Sequence, residues 1–390
     1  MDRRRFLQTT LTTLAMAQLT AQAAHSAPTT WTANLGHGFG LALHDYSDAT
    51  LDVARDAGFT LIRTDFFWSG VETKRHVYDW TMTDTLMAGL AARNLRPQFV
   101  LGFNNPDIYG GNWMDGITMS FELNAYAAFC AAAAARYRDI NPIWEIYNEP
   151  NRDNFWEPKA NPAEYMTMAK RAIAAIRAVQ PGAIIIAPAL GHKMREPVLD
   201  LDFLEACLKD GLAPLIDAVS IHPYVDPELA DQTYTAVAAL LDQYPAGARR
   251  LPILSTEWGF ATNEFVDEDL QADVLLRMFL VNLMHGIPVS IAYVAVDRTE
   301  AYVPLAERSY GIVRADYSPK AAFTALQDMN RRLAGFTFQQ RLPSDPDDYL
   351  LMFSNNGQSL IAAWTAGVAH DVAVKEMPIT LTSRPVFVMI

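Results

Sequence analysis

The stretch that decides the fold is residues 142–151, which read PIWEIYNEPN. Its first six residues are mostly apolar, which is typical of a strand in a parallel sheet that is covered on both faces. Pro150 has no backbone N–H to give to a sheet, so the strand is predicted to end near Asn148 and Glu149. In α/β proteins ligands bind at the carboxyl ends of such strands. The stretch therefore predicts an amide and an acid at a binding edge.

Outward from this stretch, apolar runs of strand length alternate with amphipathic runs of helix length. Strands are predicted at 38–44, 60–68, 96–104, 142–149, 183–190, 216–224, 252–260 and 288–296. Helices are predicted at 48–57, 82–93, 121–138, 161–179, 201–210, 232–243, 267–285 and 318–334. Eight repeats of strand and helix predict an α/β fold, a (β/α)8 TIM barrel over residues 34–334. A doubly wound open sheet alternates in the same way, but it usually carries a Gly-rich phosphate loop, and GHGFG at 36–40 has the wrong spacing for one.

The alternation of strand-length and helix-length runs stops at Gly335. Short runs of alternating apolar and polar residues are separated by turn residues such as those at 355–357, which read NNG. We expect residues 335–390 to form a small β-sandwich accessory domain that packs on the side of the barrel.

The composition narrows the class of protein. The 390 residues are 51% hydrophobic and 19% charged, which excludes a disordered chain. The formal net charge of −13 argues against nucleic acid as a partner, because phosphate binding needs a basic surface. Cys130 and Cys207 each lie in an apolar helical run, so two buried small hydrophobic side chains are favoured over a disulfide. Nothing in the pattern indicates the oligomeric state.

Residues 1–27 read MDRRRFLQTTLTTLAMAQLTAQAAHSA. Arg3 and Arg4 precede Phe6 and Leu7, and a mildly apolar stretch then leads to small residues, a pattern that resembles a cleaved twin-arginine export signal. We therefore expect a periplasmic or secreted protein. No other run reaches the roughly 18 uninterrupted apolar residues that a membrane span needs, so no membrane insertion is expected after signal removal.

Two glutamates stand at predicted strand ends, Glu149 after the fourth strand and Glu257 in the seventh. Each alone is more often a salt-bridge partner. Together they match glycoside hydrolysis, in which one carboxyl group protonates the leaving oxygen and the other attacks the anomeric carbon or activates water. That chemistry needs no metal or cofactor, and no cluster of His and Asp with metal-ligand spacing is evident in the sequence.

The motifs around both glutamates resemble a known family. Residues 144–150, WEIYNEP, are similar to the Trp-x-x-x-Asn-Glu-Pro motif of the clan A (β/α)8 retaining glycoside hydrolases, and residues 255–259, STEWG, are similar to their seventh-strand nucleophile motif. The resemblance extends over residues 36–334. FWEP at 155–158 and FLEAC at 203–207 look closest to family 39 and its bacterial exopolysaccharide endoglycosidases of the Psl type, with cellulase-like family 5 as the second choice.

This resemblance implies roles for individual residues. Glu149 would be the general acid/base and Glu257 the nucleophile, and Asn148 would bond the 2-hydroxyl of the sugar. Tyr224 would donate to Glu257, and Arg63 would lie beside Glu257 and keep it ionised.

Further residues are predicted to bind the substrate. His222 would sit close to the acid/base. The others are expected to contact the sugar through an aromatic ring or an amide: Trp68, Trp156, Trp258, Tyr293 and Asn104. Many clan members have a tryptophan on strand eight below the reactive sugar; here that strand offers Tyr293 instead.

Three functions fit these residues. The first is a retaining, endo-acting hydrolase of a β-linked exopolysaccharide, with polysaccharide or oligosaccharide as its partner. The second is a plant-polymer β-glycanase or an exo-β-glycosidase on the same barrel, and the third is a sugar-binding barrel without catalysis. A retaining enzyme predicts that the Glu149 and Glu257 carboxyl groups lie about 5–5.5 Å apart.

Overall fold

A computed structural model describes residues 38–192, 199–247, 250–375 and 377–390. Eight parallel strands close into a barrel in which the first strand pairs with the eighth. They are β1 (Phe39–Leu43), β2 (Leu61–Phe67), β3 (Arg96–Gly102), β4 (Ile143–Ile146), β5 (Ile184–Leu190), β6 (Ala218–Ile221), β7 (Ile253–Trp258) and β8 (Ser290–Ala292). The predicted TIM barrel is confirmed. The export signal predicted at residues 1–27 lies outside the described residues.

One long helix follows each barrel strand. They are α1 (Asp48–Asp56), α2 (Thr81–Ala92), α3 (Ser120–Arg136), α4 (Pro162–Val179), α5 (Leu201–Lys209), α6 (Ala230–Gln243), α7 (Glu268–Met284) and α8 (Ala321–Leu333). Several of these helices begin at a residue whose side chain accepts a hydrogen bond from a free backbone N–H group. Asn161 caps α4 in this way, with Pro162 at the first helical position.

The barrel strands alternate between two cores. On β5, Ile184 and Ile186 point into the barrel, where branched side chains fill the interior, while Ile185 and Ala187 join the larger core beneath the helices. Because both faces are buried, the strands read as continuous apolar runs.

Short elements decorate the carboxyl ends of the strands, where the site lies. A one-turn helix (Trp68–Val71) and a small hairpin (Glu72–Lys74 with Val77–Tyr78) follow β2, and another one-turn helix (Pro106–Tyr109) follows β3. None of the helices among the described residues is long and apolar enough to cross a membrane. Both cysteines are buried free thiols, as expected.

The C-terminal strands form two antiparallel sheets. Four strands, β9 (Thr337–Arg341), β10 (Asp348–Asn355), β11 (Gln358–Thr365) and β14 (Val386–Met389), make one sheet, and β12 (His370–Val374) pairs with β13 (Met377–Leu381) in the other. Leu350 and Ile361 face the smaller sheet, whereas Leu351, Leu360 and Trp364 belong to the core shared with the barrel. The predicted β-sandwich is therefore present.

The sandwich is tied to α7 and to the chain before α6. Trp364 donates from its ring nitrogen to Glu228 at 3.2 Å, and the Ser383 hydroxyl donates to Asp273 at 2.7 Å. Arg384 adds an ion pair with Asp273. Apolar packing and buried polar contacts thus hold this domain to the outside of the barrel.

Candidate active site

The site begins with a sharp turn after β4. The strand ends at Ile146, earlier than predicted, because Tyr147 and Glu149 both adopt left-handed backbone conformations, with φ of 67° and 44°. Such conformations cost about 1–3 kcal/mol each for residues other than glycine. Two hydrogen bonds fix the turn: the Tyr147 hydroxyl donates to the carbonyl of Phe155 at 2.9 Å, and the Glu149 N–H donates to the carbonyl of Ala189 at 3.0 Å. The turn carries the Glu149 side chain over the mouth of the barrel.

The Glu149 carboxylate is buried and held by two donors. Its Oε1 lies 2.9 Å from His222 Nδ1, and its Oε2 accepts a hydrogen bond from Arg152 Nη1 at 2.7 Å. Burial raises the pKa of Glu149, but the hydrogen bond from His222 and the charge of Arg152 outweigh burial and hold this pKa below its ordinary value. These contacts therefore favour the carboxylate form of Glu149.

The contacts of His222 define its tautomer. Its Nε2 faces Arg63 Nη2 at 3.4 Å, and a guanidinium group can only donate. Nε2 must then be the acceptor, which leaves the ring proton on Nδ1, where it points at Glu149. His222 thus donates from Nδ1 to Glu149, in the place that the sequence predicts.

Glu257 lies on β7 on the other side of the same opening, with 15% of its side chain exposed. The Tyr224 hydroxyl donates to its Oε1 at 2.7 Å, and Arg63 Nη1 donates to its Oε2 at 2.5 Å. Both donors are the ones that the sequence analysis assigns to it. They fix the carboxylate in one orientation.

Arg63 connects the carboxylates and the amide. Besides Glu257, it donates from Nη2 to Asn148 Oδ1 at 2.7 Å and from Nε to Glu145 Oε2 at 2.7 Å. Burial works to lower the pKa of Arg63, but the charges of Glu145 and Glu257 raise it above its ordinary value. The side-chain oxygen of Asn148 already accepts a hydrogen bond from Arg63. The side-chain amide nitrogen of Asn148 is therefore left to donate to a ligand.

The two predicted catalytic carboxylates meet at one opening. One carboxylate oxygen of Glu149 and one of Glu257 lie within 4.8 Å of each other, although the residues are far apart in the chain. Six of the predicted residues therefore form one connected cluster: Arg63, Asn148, Glu149, His222, Tyr224 and Glu257.

Three predicted aromatic contacts are wrong. Trp68, Trp156 and Trp258 are fully buried, so none of them presents a ring face to a sugar. Their ring nitrogens donate to Glu72, Glu164 and Ser290 respectively, and their rings pack on other aromatic side chains. They support the loops from below because large apolar rings gain more from burial than from exposure at a strand end.

Asn104 is also not a ligand residue. Its amide nitrogen donates to the carbonyl of Gly110 at 3.3 Å and to that of Asn112 at 3.2 Å, and its oxygen accepts from the Asn105 N–H. These contacts close the loop after β3. Tyr293, by contrast, stays partly exposed beside the site, where its hydroxyl lies 3.1 Å from His44 Nε2.

The sequence analysis missed three residues of the site. Glu145 anchors Arg63, Arg152 anchors Glu149, and Gly191 leaves the space that Glu149 and Arg152 occupy. The signal for Glu145 was present, since a charge at the centre of an apolar strand is rarely buried without a partner. No pattern in the sequence pointed to Arg152 or Gly191.

Among the residues that the structure describes, two groups have the donor atoms for a metal ion. Glu149, His222 and Glu257 form one, and Asp345, Asp348 and His370 on the C-terminal domain form the other. In the first group, two guanidinium groups already contact the carboxylates, and their positive charge opposes binding of a cation. In the second group Asp345 and His370 are exposed, whereas Asp348 is buried and lies 3.1 Å from His370.

Known proteins match the chain both in sequence and in fold. A family model described as cellulase (glycosyl hydrolase family 5) matches residues 23–284. A β-xylosidase of Geobacillus stearothermophilus is 26% identical over 169 residues, which cover 40% of this chain and 32% of that protein. The chain thus aligns with about a third of that relative's length.

Solved structures share the fold. A family 39 glycoside hydrolase from Bacteroides cellulosilyticus superposes with a TM-score of 0.77 at 22% identity, over 92% of this chain and 81% of that one. A monomeric β-xylosidase from Caulobacter crescentus superposes with a TM-score of 0.64 at 19% identity, over 88% and 80%. The resemblance to clan A noted in the sequence is confirmed, and the likeness to family 39 fits these structures.

The family match covers both the strand that leads to Glu149 and the strand that carries Glu257, and the structure brings these two carboxylates together. The chain therefore belongs to the cellulase family, glycosyl hydrolase family 5, within clan A.

Proposed function

We propose that this protein cleaves β-linked polysaccharide with retention of anomeric configuration, within the chain of an exopolysaccharide. The observation that carries the proposal is the separation of at most 4.8 Å between one oxygen of Glu149 and one of Glu257. Retaining enzymes have carboxyl groups about 5–5.5 Å apart, whereas inverting enzymes need about 6.5–9.5 Å to hold a water molecule between them.

In the proposed reaction Glu257 is the nucleophile. Its Oε atom forms a bond to the anomeric carbon, the glycosidic C–O bond breaks, and Glu149 gives its proton to the leaving oxygen. Glu149, now a carboxylate, then takes a proton from water, which attacks the anomeric carbon and releases Glu257. Tyr224 and Arg63 hold the nucleophile in place, and the Asn148 amide nitrogen is positioned to donate to the 2-hydroxyl.

The proposal has a consequence for pH. The acid step needs Glu149 protonated, and His222 and Arg152 hold its pKa below the ordinary value. The protonated fraction therefore falls as pH rises through that lowered pKa. We expect hydrolysis to be fastest on the acidic side of neutrality.

Two features support action on a long chain. Apolar rings lie exposed on loops beyond the strand ends, Phe265 at 82% and Tyr302 at 78% exposure, and exposed aromatic faces stack well on sugars. A cavity of about 180 Å³ lies between the end of β1 and the loop after β8, with Asp45 and Arg298 among its lining residues, and Arg298 contacts Tyr302. Such a surface would bind sugar units beyond the reacting one.

The test is a reducing-end assay on a panel of β-glycans, including bacterial exopolysaccharides. We expect Glu149→Gln and Glu257→Gln to abolish hydrolysis, whereas Glu264→Gln, an exposed carboxylate in the loop after β7, should match the parent protein. Proton NMR of the first product should show the β anomer. Full activity of either catalytic variant, or an α anomer from a β-linked substrate, would contradict the proposal.

A second candidate is an exo-β-glycosidase. The relatives that are named as β-xylosidases favour it. Product length separates the two: an endo enzyme lowers the viscosity of a polymer early and releases oligosaccharides, whereas an exo enzyme releases only monosaccharide and leaves the viscosity high.

We further propose twin-arginine export to the periplasm or beyond. The pattern RRRFL at residues 3–7 supports it. Replacing Arg3 and Arg4 by lysine should trap the protein in the cytoplasm; unchanged export would contradict this part of the proposal.

A further inference from the structure

Glu145 is a buried carboxylate that the proposed reaction does not use. It lies on β4, wholly removed from solvent, and accepts hydrogen bonds from Arg63 Nε at 2.7 Å, Gln98 Nε2 at 3.1 Å and Thr256 Oγ1 at 2.9 Å. Burial raises the pKa of Glu145, but Arg63 and the neighbouring His222 lower it below its ordinary value, so the group is charged. It touches no substrate position, since the catalytic residues lie above it.

Arg63 therefore has two negative partners, Glu145 and Glu257. Only 5% of the Arg63 side chain is exposed, so water does little to neutralise its charge. The remaining neighbours at hydrogen-bond distance, Asn148 and His222, supply no negative charge. Asp65 adds a weaker interaction from farther away and is itself paired with His44.

The double-displacement reaction removes one of these partners. When the Glu257 oxygen bonds to the anomeric carbon, the carboxylate becomes a neutral ester and the negative charge appears on Glu149 as its proton leaves. The charge thus moves from beside Arg63 to beside Arg152. Arg152 is 25% exposed and tolerates the change through solvent, but the buried Arg63 does not.

We propose that Glu145 is a positioning residue that serves as the permanent counter-charge of Arg63 while Glu257 is esterified. The inference rests on the proposed retaining function. It explains why one guanidinium group is held by two buried carboxylates: with Glu257 alone, Arg63 would stabilise the free nucleophile and then stand unpaired in the covalent intermediate. Removing one partner of a buried pair is strongly unfavourable, whereas a second fixed partner prevents that state.

The prediction is a change in the balance of the two chemical steps. In Glu145→Gln, formation of the glycosyl-enzyme should slow by about 10²-fold or more, because Arg63 then opposes the loss of charge on Glu257. Hydrolysis of the intermediate should not slow, because that step restores the charge. A variant that merely loosens the site would slow both steps together.

The experiment is stopped-flow hydrolysis of a dinitrophenyl β-glycoside, whose good leaving group makes breakdown of the intermediate rate-limiting in the parent protein. The parent should show a burst of dinitrophenol, and Glu145→Gln should lose the burst. Glu145→Asp, which keeps the charge, should retain the burst at reduced rates. Glu72→Gln removes another buried carboxylate, one that bonds Trp68 and lies outside this network, and should also retain the burst.

Each outcome supports or contradicts either the proposed function or the role of Glu145. No burst and no covalent intermediate in the parent protein would contradict the proposed function itself. A normal burst in folded Glu145→Gln, or equal slowing of both steps, would overturn only the role of Glu145. If Glu145→Gln does not fold, Glu145→Asp decides: a retained burst supports the inference and a lost burst overturns it.

Discussion

Gly191 offers a sharp test of how the acid/base is positioned. It follows β5 and lies against the Glu149 carboxyl group. A Cβ at this position would stand 2.6 Å from Glu149 Cδ and 2.9 Å from Arg152 Cδ. The backbone cannot retreat easily, because two hydrogen bonds hold it: the Gly191 N–H donates to Asn151 Oδ1 at 2.9 Å, and Asn151 Nδ2 donates to the Gly191 carbonyl at 2.8 Å.

Gly191→Ala should therefore move Glu149 rather than the backbone. To reach ordinary contact the carboxyl group must shift by roughly 0.8 Å, which breaks its alignment with His222. Misplacement of a catalytic group by about 1 Å costs on the order of 10²-fold in rate. The extra methyl group should also destabilise the fold by about 1–3 kcal/mol.

The assay is kcat/KM for aryl β-glycosides with leaving groups of increasing basicity, together with thermal unfolding. Substrates with basic leaving groups, which need a proton from Glu149, should lose about 10²-fold, whereas a dinitrophenyl glycoside, which needs none, should react nearly as fast as with the parent. Gly70→Ala is the matched control, since its Cβ would meet only Phe67 and Met82 at 3.5 and 3.7 Å. Wild-type rates and an unchanged leaving-group dependence in folded Gly191→Ala would refute the reasoning.

Three further outcomes are expected. In Arg152→Gln a donor that holds the pKa of Glu149 low is lost; the pKa rises, so the basic limb of the kcat/KM profile should move to higher pH, and an unmoved limb would show that Arg152 does not act on Glu149. Tyr224→Phe removes a hydrogen bond to the Glu257 carboxylate, worth about 1.5–3 kcal/mol, and should lower kcat by about 10–100-fold; an unchanged kcat would contradict a role for that hydroxyl. Trp364→Ala should lower the free energy of unfolding by about 3–5 kcal/mol in chemical denaturation while leaving kcat of the folded enzyme unaltered, and a smaller loss would mean that the sandwich is weakly docked.

The barrel could be predicted from the sequence because its strands and helices follow from patterns of neighbouring residues. Apolar runs of strand length and amphipathic runs of helix length placed the eight strands and eight helices within a few residues of their observed bounds. The largest difference is at strand ends. β4 stops at Ile146 because two left-handed residues turn the chain there, and no propensity predicts such a turn in residues other than glycine.

The sequence by itself determined the strand-and-helix repeat, the two carboxylates and, through motif resemblance, Arg63 and Tyr224 as partners of Glu257 and His222 as a neighbour of Glu149. Only the tertiary structure decided which rings face the opening: Trp68, Trp156 and Trp258 lie at or beyond the predicted strand ends, yet they pack inward. It also decided how charge is balanced around the site. Burial and ion pairing arise from contacts between strands distant in the chain, so the pairing of Glu145 with Arg63 has no pattern along the sequence that could reveal it.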